Sequence, residues 1–87
     1  GYDLIAEDIT NHGQIDLTII MPDKILIVEF KLDKYGTATE ALEQILSNNY
    51  PQKYLSQQKP IHLIGMSFDS RNRNIAELKI NSLYINS

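Results

Sequence analysis

Three stretches of this sequence point to a mixed α/β sheet, with an antiparallel meander first, then a crossover helix and further strands. Residues 14 to 31 hold two runs rich in Ile, Leu, Val and Thr on either side of Pro22-Asp23, the pattern of a β-hairpin. Thr37-Ala38-Thr39-Glu40 has the form of a capping box that opens a helix. Ile61 to Phe68 is a mostly apolar run after Pro60, as in a strand reached by a βαβ crossover and buried on both faces.

The elements follow in order. Residues 2 to 9 form a first strand of imperfect alternation, and Asn11-His12-Gly13 a tight turn with Gly13 free to take positive φ. The length of that turn leaves open which face Glu7 and Asp8 take. Either could approach Asp16, but both are read as solvated acids on an edge strand. His12 is read as an exposed turn residue rather than a general base. Strands over 14–21 and 24–31 come next, then an exit loop at 33–36. The helix is expected from Ala38 to Asn49, with Thr37 as its N-cap and Glu40 reaching back to it. Its apolar stripe is Ala41, Leu42, Ile45 and Leu46.

Pro51 stops the helix or begins a new turn. Tyr50, Tyr54 and Leu55 are spaced to fold one turn against the core, a packing role favoured over stacking on a nucleotide base. Strands over 61–68 and 74–84 complete the sheet around a turn at 69–74. Asp69 is explained by that turn. Arg71 and Arg73, the two arginines, lie on it as a solvated loop. His62 is read as a hydrogen-bonded structural residue.

The hairpin register can be counted. An even loop, either Pro22-Asp23 or Met21 to Lys24, pairs Ile20 with Ile25, Thr18 with Ile27, Asp16 with Glu29 and Gln14 with Lys31. Directly opposed residues share a face. Gln14, Asp16, Glu29 and Lys31 then point the same way, whereas an odd loop would set Asp16 against Phe30 and break the cluster.

Two acids directly opposed destabilise a sheet unless they share a proton or bind a cation. A hard divalent cation suits oxygen ligands, and Mg²⁺ takes one or two carboxylates plus water. With Lys31 one pleat from Glu29 to orient an attacking water, the set suits hydrolysis of phosphate esters.

Bulk properties bound the rest. With 87 residues the chain is expected to be one small domain over 1–87, near the size at which a single core suffices. It has no cysteine, so it lacks both a disulfide framework and a thiolate metal site. No apolar stretch approaches a membrane span and no signal peptide opens the chain, so a cytoplasmic protein is expected. The formal charge of -3 counts against a broad DNA-binding surface, though local patches outweigh the total.

Gly13-x-Ile15-Asp16-Leu17 followed by Ile27-Val28-Glu29-Phe30-Lys31 resembles the PD-(D/E)xK nuclease superfamily. Its signature is an Asp starting one strand and a Glu-x-Lys ending the next. The likeness is greatest to C-terminal nuclease-like domains of bacterial proteins with an upstream AAA-ATPase-like domain. It extends into Glu43-Gln44-Ile45, Asn49-Tyr50, Lys53-Tyr54 and Ile64-Gly65-Met66-Ser67-Phe68.

The resemblance implies a restriction-endonuclease-like core and a Mg²⁺-dependent (or Mn²⁺-dependent) nuclease acting on DNA. Asp16, Glu29 and the Phe30 carbonyl would hold the metal. Lys31 would position the attacking water, and Gln44 would support the site from the helix. The reading of Gln44 as a half-buried amide bonded to backbone stands beside that role. Some branches carry a Tyr four residues after the Gln; here position 48 is Asn and Tyr50 comes six after Gln44.

The chain opens at Gly1-Tyr2 without an initiator Met. It is therefore expected to be a fragment of a longer protein, with the superfamily's first helix lying before Gly1. The rival reading is a non-catalytic interaction or DNA-sensing module on the same scaffold. A ligand-binding domain unrelated to nucleases is disfavoured, since no Gly-rich phosphate loop is present.

Overall fold

The β-rich segments pair into a five-stranded sheet of order β1-β2-β3-β4-β5 in a computed structural model that describes residues 2–9 and 14–83. The strands are β1 (Asp3–Ile9), β2 (Gln14–Ile20), β3 (Ile25–Leu32), β4 (Ile61–Asp69) and β5 (Asn74–Leu83). Among the described strands only the β3–β4 pair is parallel, as a crossover requires. The helix α1 (Ala38–Ser47) and a 3-10 segment (Tyr50–Gln57) make that crossover. This is the mixed α/β sheet expected, with strand ends within a residue or so of the predicted ones.

The β2–β3 turn is even. The Met21 amide donates to the Lys24 carbonyl at 2.8 Å, and Ile20 pairs with Ile25. The capping box is present in full. Thr37 Oγ1 accepts from the Glu40 amide, and Glu40 Oε1 accepts from the Thr37 amide, each at 3.1 Å. The helix stops at Ser47 rather than at Asn49. Asn49 takes left-handed backbone with φ 58°, a conformation Asn tolerates better than most residues. Its amide closes on the Leu46 carbonyl at 3.2 Å, and Pro51 then enters the 3-10 segment.

The core lies between α1 and one face of the sheet. Ile25, Ile27, Ile61 and Leu63 meet Ile45 of the helix and Tyr54 of the 3-10 segment. Here β4 departs from the expectation of burial on both faces. Ile61, Leu63, Gly65 and Ser67 are buried, while His62, Ile64, Met66 and Phe68 are only half-buried. The reason is one-sided cover: among the described residues the helix packs on a single face, and Leu4, Leu78 and Ile80 stay exposed.

Gly65 sets how closely α1 approaches. A Cβ there would lie 2.3 Å from the Ala38 carbonyl oxygen and 2.8 Å from the Leu42 nitrogen, and neither backbone atom can yield without moving the helix. Gly65→Ala is therefore expected to cost about 1–3 kcal/mol, the usual range for overpacking. Urea unfolding should show it as a lower midpoint at unchanged slope.

Candidate active site

Antiparallel pairing of β2 with β3 sets Asp16 opposite Glu29 and Gln14 opposite Lys31. The three charged side chains are buried, with relative exposures of 3% for Asp16, 0% for Glu29 and 4% for Lys31. Strand periodicity delivers them to the face that α1 covers. Lys31 Nζ lies 3.4 Å from Glu29 Oε2 and donates to Gln44 Oε1 of α1 at 2.8 Å. The half-buried Gln44 thus bonds a side chain rather than backbone. Over the lysine stem lies Gly36, where a Cβ would come within 2.8 Å of Lys31 Cδ. Ser67, paired across from Lys31 on β4, pins that loop by donating to the Gly36 carbonyl at 3.1 Å.

The two acids are unequally partnered. The Tyr50 hydroxyl donates to Asp16 Oδ2 at 3.0 Å. Asp16 Oδ1 and both Glu29 oxygens are buried with no hydrogen-bond partner among the described residues. Burial first, then the adjacent Asp16 carboxylate, push the Glu29 carboxyl up to about 8 against the opposing pull of Lys31.

Glu7 is not the solvated acid expected. A bulge between Ala6 and Asp8 interrupts the β1–β2 register, and the Glu7 side chain is only 4% exposed. It accepts from Thr18 Oγ1 at 2.8 Å, from the Tyr54 hydroxyl, and from Lys53 Nζ at 2.6 Å. Burial pushes its carboxyl up, but the bonds from Lys53, Tyr54 and Thr18 together bring it below the usual range.

The structure thus gathers Asp16, Glu29, Lys31 and Gln44. The Phe30 backbone lies between the acid and the lysine, and its ring packs against Phe68 in a tilted pair with centroids 5.6 Å apart. His12 lies outside the described residues. His62 is structural, with Nδ1 2.8 Å from Ser82 Oγ. Asp69 accepts from the Arg71 and Asn72 amides and so belongs to its turn. Sequence reasoning missed the polar contacts of Tyr50, Tyr54 and Glu7. The one available signal was the run of Tyr50, Lys53 and Tyr54 at a one-turn spacing.

Comparison with known proteins decides the family. The model of the PD-(D/E)XK nuclease superfamily matches residues 1–78. The chain belongs to the PD-(D/E)XK nuclease superfamily. An "Uncharacterized protein in vnfD 5'region" from Azotobacter chroococcum mcd 1 is 35% identical over 83 residues, 95% of this chain but 16% of that protein's length. No solved structure matches.

PD-(D/E)XK nucleases typically use divalent metals, and the residues present fit one. Three carboxylate oxygens without a hydrogen bond among the described residues are hard donors, buried on the directly opposed Asp16 and Glu29. No three His, Cys, Asp or Glu side chains cluster among the described residues, so further ligands would be backbone carbonyls and water. No described helix is long and apolar enough to cross a membrane.

The raised Glu29 carboxyl makes stability depend on pH in the metal-free protein. Folded Glu29 holds its proton up to about pH 8, while the unfolded chain releases it near 4.5. Glu29's contribution is present in full below about pH 4.5 and is lost as pH rises through about 8. Chemical denaturation across that window should show falling stability in the parent protein and a flatter profile in Glu29→Gln.

Proposed function

We propose that the protein is a Mg²⁺-dependent nuclease, also served by Mn²⁺, that hydrolyses phosphodiester bonds of DNA. The observation that carries this reading is the buried Asp16–Glu29 pair, three of whose oxygens accept no hydrogen bond among the described residues and which has the Lys31 ammonium 3.4 Å from Glu29 Oε2. Asp16, Glu29 and the Phe30 carbonyl would hold the cation. When bound, the ion supplies Lewis acidity, lowering the pKa of water and offsetting charge that develops on phosphate.

The chain's own residues do the rest. Lys31 orients the attacking water and stabilises negative charge on the phosphate. Gln44 accepts one proton of the ammonium at 2.8 Å, which, with Glu29 Oε2 at 3.4 Å on its other side, aims the group. Burial beneath α1 keeps these charges in low dielectric, where each is worth more than in water.

The matched relative is several times longer than this chain. That length leaves room for the upstream ATPase-like domain that this reading places in the same full-length protein, working in the cytoplasm. The formal charge of -3 favours a second reading, a non-catalytic interaction or DNA-sensing module on the nuclease scaffold. Nicking of supercoiled plasmid with Mg²⁺, with Mn²⁺ and with chelator separates the two, because a non-catalytic module leaves the plasmid intact in every arm.

Lys31→Ala should reduce cleavage at least about a hundredfold, the scale for losing one charge-stabilising donor, with an unchanged circular dichroism spectrum. Equal activity in that variant would refute the role given to Lys31. Asp16→Asn should weaken Mg²⁺ binding in calorimetry, and an equal affinity would count against Asp16 as a ligand.

A further inference from the structure

The 3-10 segment between α1 and β4 is where the expected packing role proves incomplete. Tyr50 stands at its start, just after the left-handed Asn49 (φ 58°). The tyrosine ring is partly buried against the core cluster, which alone would explain an aromatic residue. Its hydroxyl, however, crosses to β2 and donates to Asp16 Oδ2 at 3.0 Å. The other oxygen, Oδ1, is buried and unpartnered among the described residues.

We infer that Tyr50 is a positioning residue for Asp16, fixing one carboxylate oxygen so that the other is presented to the cation. This rests on the cation seat proposed above and adds to it the element that holds the seat in shape. A carboxylate free to rotate about its last bond presents either oxygen in many directions, and a donor on Oδ2 removes that freedom. Outer partners of this kind orient ligands, and their loss commonly costs 10–100-fold in metal affinity.

The tyrosine is itself held. Lys53 Nζ lies 5.2 Å from the Tyr50 ring centroid, within cation–π range. The same ammonium group is 2.6 Å from Glu7 Oε2 on β1. One turn along the segment, Tyr54 donates to the other oxygen of Glu7. The segment is thus tied to β1 through Glu7 and to β2 through Asp16, and its own Pro51 is buried.

Tyr50→Phe removes the hydroxyl and keeps the ring, so packing and the Lys53 contact survive. Mn²⁺ is titrated calorimetrically into the parent protein, Tyr50→Phe, Asp16→Asn and the double variant, with circular dichroism confirming that each is folded. The expected result is about tenfold weaker Mn²⁺ binding in Tyr50→Phe, and no further loss when the change is added to Asp16→Asn. Equal affinity in Tyr50→Phe, with the parent binding Mn²⁺, overturns the role of Tyr50 and leaves the seat standing. A tenfold loss that persists on the Asp16→Asn background also overturns it, because the hydroxyl would then act elsewhere. A parent protein that binds no Mn²⁺ overturns the seat and this role together.

Discussion

Everything distinctive in this fold depends on two carboxyl groups forced together by strand register. Asp16 and Glu29 are directly opposed on β2 and β3, in a place from which water is excluded. A sheet selected for stability alone would put an apolar pair there, since opposed like charges are unfavourable and buried ones more so. The protein meets the cost in two visible ways. Glu29 keeps its proton into the neutral range, and Lys31 supplies a positive charge at 3.4 Å.

The surrounding elements are arranged about that pair. The capping box starts α1 where Gln44 can reach the lysine amine. The left-handed Asn49 turns the chain back so that Tyr50 reaches the aspartate. Thr18, one pleat along β2 from Asp16, bonds Glu7 instead, so the acid on β1 is neutralised by its own partners. Three strands and two helical segments therefore converge on a patch only a few residues wide.

How much of this could be read beforehand follows from the range of each interaction. The β2–β3 register was legible because it needs only an even loop and a period of two, and Asp16 opposite Glu29 followed from counting. The Thr37–Glu40 cap was legible because its partners are three residues apart. The contacts of Tyr50 with Asp16 and of Tyr54 and Lys53 with Glu7 were not legible. They depend on how Asn49 turns the chain and on a bulge after Ala6, and neither leaves a trace in hydrophobic periodicity. The β4 misreading has the same root. An apolar run shows that a strand can be buried on both faces, whereas the actual burial depends on which elements cover it.

The bare Cα of Gly65 has an effect beyond packing. It is paired with Glu29 across the parallel strands, at the point where the helix backbone descends onto the sheet. Helix main chain therefore lies close on the sheet beside Glu29, which is fully buried. A side chain at that position would force the helix backbone away from the strand next to the acid pair. An absent methyl group, on a strand that supplies no charged group to the site, thus lets the helix settle beside its most buried member.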